Sequence, residues 1–99
     1  MSATVTVHRL VERDLRIAAS HYEAEGGSRL SERFLADAEA TIQRLGESPR
    51  QFHFQAPGLR RAPLGTFPYH FLYEEEADTV RILVLRHDRR HPRFGIARQ

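Results

Sequence analysis

The sequence predicts an α+β fold in which an N-terminal strand leads into a helical hairpin packed on one face of a mainly antiparallel sheet of three or four strands. Three observations predict it. Apolar residues recur every three or four positions from Val11 to Leu45, the period of a helix, whereas from Leu59 to His87 they alternate or form short runs, the pattern of strands. A Gly26-Gly27 pair cuts the helical stretch in two. A chain of 99 residues has room for one hydrophobic core, so both halves share it and residues 1–99 make a single domain.

Thr4-Val5-Thr6-Val7-His8 is β-branched and alternating, as a strand requires. From about Val11 to Glu25 the stripe Val11, Leu15, Ala18, Ala19 and Tyr22 marks one face of a helix. Glycine readily takes the left-handed conformation that ends a helix, so Gly26-Gly27 stops it and Ser28 can cap a second helix running to about Leu45. The second stripe is Leu30, Phe34, Ala38, Ile42 and Leu45, with Leu35 beside it. Gly46 through Gly58, with Pro49 and Pro57, reads as irregular. Strands follow over Leu59–Leu64, Tyr69–Glu74 and Thr79–His87, the last two joined by the polar turn Glu74-Glu75-Glu76-Ala77-Asp78. Tyr69, Phe71 and Tyr73 share one strand face, where the helices can rest. Val80 to Leu85 is apolar enough for a central strand covered on both sides, and Asp88–Gln99 reads as an extended tail.

Cysteine is absent, which excludes disulfides, thiolate nucleophiles and Cys-based zinc sites. No apolar run is long enough to cross a bilayer, and the first residues lack the basic flank and apolar stretch of a secretory signal; the expectation is a cytoplasmic protein without membrane contact. Residues 1–48 hold six Arg against eight acids, a balance of −2, and residues 49–99 hold nine Arg against five acids, a balance of +4. Lysine is absent too, so every fixed positive charge is a guanidinium, whose planar fork suits carboxylate and phosphate. Anionic partners are expected.

With those elements in place, the chain resembles the toxins of the ParE/RelE superfamily. Val11 to Ile17, with Asp14-Leu15, is similar to the opening of their first helix, and Leu45 with Pro49 to the end of their second. Leu59-Arg60-Arg61, Phe67-Pro68-Tyr69-His70-Phe71-Leu72-Tyr73 and His87-Asp88-Arg89-Arg90-His91-Pro92 look like the family's basic strand, its Pro-Tyr strand and its closing basic element. The resemblance implies the toxin half of a type II toxin-antitoxin, or plasmid stabilisation, pair. A cognate antitoxin would hold it inactive, and operator DNA would be reached only through that complex. ParE-like members act on DNA gyrase and RelE-like members cleave messenger RNA on the ribosome; fold alone does not choose between them.

The residues favour the gyrase reading. Cutting RNA through its own 2′-hydroxyl needs a base, an acid and cations where charge develops on phosphate. His87 is the candidate acid/base and Arg61 and Arg81 the candidate clamps, but the RelE-like nucleases usually carry several Lys, and the tail here offers Phe94, which can stack on a base and cannot transfer a proton. Arg60, Arg61, Arg81, Arg89 and Arg90 are the residues expected to contact target or phosphate. Arg61 and Arg81 can equally pair across the sheet with Glu74 or Glu76. His87 and His91 are four apart ahead of Pro92, which does not suit a metal site, and no cofactor is expected. The remaining alternative is a non-toxic interaction module of the antitoxin complex.

Overall fold

The computed structural model describes residues 2–98. Strand β1 (Thr4–Val7) precedes the helical segment α1 (Val11–Glu47); a 3-10 turn over Pro49–Gln51 then leads to strands β2 (Phe54–Ala56), β3 (Leu59–Pro63), β4 (Tyr69–Glu76) and β5 (Thr79–His87). All five strands form one sheet in the order β1-β5-β4-β3-β2. The first strand pairs parallel to the last, and the other three pairings are antiparallel.

Segment α1 is two helical arms, 11–26 and 28–47, separated at Gly27 (φ 82°, ψ −176°), a conformation open in practice only to glycine. The rings of Tyr22 and Phe34 lie 5.2 Å apart, whereas twelve residues of unbroken helix would part them by about 18 Å. The chain therefore doubles back, as the glycine pair predicts. Val11, Ala18, Phe34, Ala38 and Leu45 from the arms bury against Ala62, Leu64, Phe71, Tyr73, Val80, Ile82 and Leu85 of the sheet half. Tyr22, Phe34, Phe67 and Tyr69 add an edge-to-face aromatic cluster at the closed end. Polar ties fix the layers: Asp37 on the second arm accepts the backbone N–H groups of Gly65, Thr66 and Phe67, and the Tyr73 hydroxyl donates to the Pro49 carbonyl at 2.5 Å. Burial opposes the Asp37 charge, but the donors of Thr66, Phe67 and Gly65 and the nearby Arg44 outweigh it and hold the carboxyl below its ordinary range.

Register explains both faces of β5. Leu72 pairs with Val84 and Tyr73 with Ile82, so Leu83 is the extra residue of a bulge. Val80, Ile82 and Leu85 consequently face the helices, while Arg81, Val84 and Arg86 face the back of the sheet. Strand β1 ends where the His8 N–H reaches the Ile82 carbonyl. Beyond that point side chains complete the outer edge of β5: Leu85 N–H donates to Asp14, and Arg98 donates to the Leu83 carbonyl.

Three expectations change, the first of them local: Glu74, Glu75 and Glu76, read as part of a polar turn, extend β4 and pair with Arg81, Val80 and Thr79, leaving only Ala77-Asp78 as the turn. The sheet has five strands instead of three or four, because Phe54–Ala56 pairs with β3 inside the stretch that reads as irregular. Residues 88–98 are not extended: they fold as consecutive turns against the back of the sheet and end on the Arg98–Asp14 ion pair. Gly95 (φ 81°) lies so close to β5 that a Cβ there would come within 2.6 Å of Val84.

Candidate functional site

The arginines singled out in the sequence divide into tied and free. Arg60 is tied: its Nε donates to Glu75 at 2.9 Å, its Nη1 to the Phe52 carbonyl at 2.7 Å, and its guanidinium lies 4.1 Å from the centre of the Phe54 ring. It fastens β2 to the sheet. Arg61 pairs with Asp88 at 3.1 Å, not with Glu74 or Glu76. Arg81 stands opposite Glu74 in register yet has no carboxylate partner among the described residues. Arg89 and Arg90 are exposed, and Arg90 stacks 4.1 Å above Phe94.

Behind Arg61 lies a buried polar cluster that sequence reasoning missed. His70 and Arg86, 3% and 4% exposed, face each other across β4 and β5. Arg86 Nε donates to His70 Nε2 at 2.8 Å, so Nε2 must carry the lone pair and Nδ1 the proton, which it donates to Asp88 at 2.8 Å. The Arg86 Nη1 group donates to the carbonyls of Pro92 and Phe94 and thereby holds the tail. Burial, reinforced by the charges of Arg61 and Arg86, lowers the His70 pKa in spite of the Asp88 hydrogen bond, and the ring stays neutral at pH 7. The signal available in the sequence was a histidine on a strand otherwise apolar at that position; nothing in the spacing of His70 and Arg86 announces their contact.

His87 sits on the other face. Its ring packs edge-on to Tyr69 at 5.0 Å, and its Nδ1 accepts the backbone N–H of Arg89, leaving Nε2 as a donor. With Asp14, Ile17, Tyr69, Arg90 and Phe94 it lines a cleft of about 110 Å³. Because strand side chains alternate, Arg61 (opposite Leu72) and Arg81 (opposite Glu74) point to the back face, whereas His87 (opposite Tyr69) points to the helix side. The three candidate catalytic residues therefore do not share a pocket. Burial raises the Tyr69 pKa, so this neighbour stays protonated at neutral pH and offers His87 no basic partner. No cluster of three or more metal-ligating side chains occurs among the described residues. What the geometry offers is cationic ground at two separate places: Arg89 and Arg90, exposed just past the end of β5, and Arg81 near its start, in a groove shared with Glu74 and Glu76.

The comparisons agree with this frame. Residues 5–92 match the family model described as the ParE toxin of the type II toxin-antitoxin system, parDE. Among solved structures, one from the chromosomal ParDE toxin-antitoxin system of P. aeruginosa superposes with a TM-score of 0.77 at 18% identity, covering 87% of this chain and 96% of that one, a likeness of fold. The chain matches none of the curated proteins.

Proposed function

Because the chain belongs to the ParE toxin family of type II toxin-antitoxin systems, we propose that it poisons DNA gyrase when free and is silenced by a cognate antitoxin. The observation that carries the reading is the family match over residues 5–92. The layout of the candidate residues supports a binding poison over a ribonuclease. An RNA-cleaving site needs its proton-transfer group and its phosphate clamp within reach of one reacting centre, and here the sheet stands between His87 and the pair Arg61 and Arg81. A poison that acts by contact needs only a rigid cationic surface. Arg89 and Arg90, adjacent and exposed past the end of β5, are the residues assigned to it, with Arg81 a separate contact near the strand's start; Arg60 and Arg61 have carboxylate partners and are weaker candidates for it.

Inducing the chain alone in a bacterium tests this reading. Growth should stop, purified chain should inhibit supercoiling by gyrase, and ribosome-bound messenger should stay intact. Cleaved messenger with normal supercoiling would overturn it in favour of the RelE-like ribonuclease, and unimpeded growth in favour of a non-toxic module of the antitoxin complex.

A further inference from the structure

A second groove, sharing Phe94 with the cleft at His87, is built where the tail crosses the start of the helical hairpin. His8, Arg9 and Leu10, which lead from β1 into α1, form one wall of an open groove of about 470 Å³, and Arg93, Phe94, Gly95, Ala97 and Arg98 form the other. No carboxylate lines it. Arg9 and Arg93 are exposed, and neither has a carboxylate partner among the described residues. His8 Nδ1 accepts the Leu10 N–H, so the neutral ring carries its proton on Nε2, a further donor in the groove wall. The positive field is felt at His8, whose pKa is lowered first by burial and then by Arg81, Arg98 and Arg9.

Both walls are held in place. Arg98 grips both carboxylate oxygens of Asp14, and Gly95 presses on Val84, which fixes the tail to the sheet. The Arg93 N–H is capped by His91 Nδ1, which sets the turn that presents Arg93. Donors held in position on rigid walls lose little freedom when an anion arrives.

We propose that this groove docks an acidic peptide segment of a partner protein, its carboxylates meeting Arg9 and Arg93 and its apolar side chains lying on Leu10 and Ala97. The assignment deepens the toxin-antitoxin reading and rests on it for the source of the segment, the antitoxin. A peptide fits better than a nucleic acid strand because stacking on bases needs an open aromatic face. The guanidinium of Arg90 lies 4.1 Å from the centre of the Phe94 ring and that of Arg98 5.3 Å from it, so the ring is engaged by cations. The groove therefore offers charge plus apolar surface without a stacking platform.

Fluorescence anisotropy with a labelled twelve-residue peptide of Glu, Asp and Leu, alongside a labelled single-stranded oligonucleotide, tests it on the whole chain. Changing Arg9→Ser together with Arg93→Ser should weaken peptide binding by about tenfold, the summed effect of two exposed ion pairs. Arg29→Ser with Arg33→Ser, on the far arm of α1, should leave it unchanged. The Arg9→Lys, Arg93→Lys chain keeps the charge and should bind within about threefold of the wild type, which separates recognition from any loss of folding. Equal peptide affinity in the two Ser variants, failure of the Lys chain to bind, or an oligonucleotide that alone depends on Arg9 and Arg93 would each overturn the proposal. Growth arrest on induction is scored separately: a chain that binds the peptide and leaves growth untouched keeps the groove and sinks the toxin reading.

Discussion

Arg86 shows how a single side chain can join two layers and a tail. It is charged, almost wholly enclosed, and hydrogen-bonded to His70 and to the carbonyls of Pro92 and Phe94. Arg86→Ala removes the donor and strands three acceptors, so it should cost about 2–4 kcal/mol, read as a lowered denaturation midpoint. The histidine in this cluster makes stability depend on pH. Its folded pKa lies below the ordinary 6.5, so the unfolded chain takes up the proton first. Stability is therefore complete above about pH 7 and falls as pH drops through 6.5 towards the folded value. Protonation would also set an N–H on Nε2 against the Arg86 donor. Urea titrations at pH 7.5, 6.0 and 5.0 should show the decline, and His70→Leu should lower stability while flattening the slope; an equally steep slope in that variant would count against His70. None of this was legible in the sequence. Arg86 follows the apolar run Ile82–Leu85 and precedes His87, and a charge at the end of a strand reads as exposed until its partner on the neighbouring strand is known. Arg60 was read as a target contact for a related reason: one sequence does not show that Glu75, fifteen positions on, will close over it.

The elements themselves were largely legible, because each is driven by a local pattern. The two helical stripes, the Gly26-Gly27 break, the three strands of the sheet half and the aromatic face under the helices all follow from periodicity and glycine chemistry. Strand β2 escaped because three residues before Pro57-Gly58 are too few to show alternation; it exists because β3 offers an edge and Arg60 holds Phe54 in place. The tail escaped because its order comes from distant partners, Arg86, Val84 and Asp14. Two glycines test the difference between local and tertiary constraint. At Gly27 a Cβ meets nothing within 4 Å, so Gly27→Ala carries only backbone strain, about 1–2 kcal/mol. At Gly95 the same strain adds to contact with Val84, so Gly95→Ala should cost more and should loosen residues 88–98 selectively. Amide exchange in the tail, compared between the variants, checks this ordering.

At the scale of the molecule, the sheet closes the chain on itself. Thr4–Val7 pairs with Thr79–Ile82, and Asp14 meets Arg98, so β5 has both its neighbours, β1 and β4, only when the first and last strands are both present. A chain cut before Thr79 should therefore show no cooperative thermal transition, even though it keeps both helical arms and four of the five strands; a sharp melt would contradict that dependence. Family membership over residues 5–92 covers the strands and both arms but stops short of Arg93 and Arg98, which belong to the groove wall. The parallel pairing also has a temporal meaning. During synthesis the opening strand must wait for its companion until residues 79–82 have been made, and the Asp14 clasp waits for Arg98. A nascent polypeptide thus has both helical arms before it has β5, and its first strand joins the rest of the sheet only once that late segment emerges.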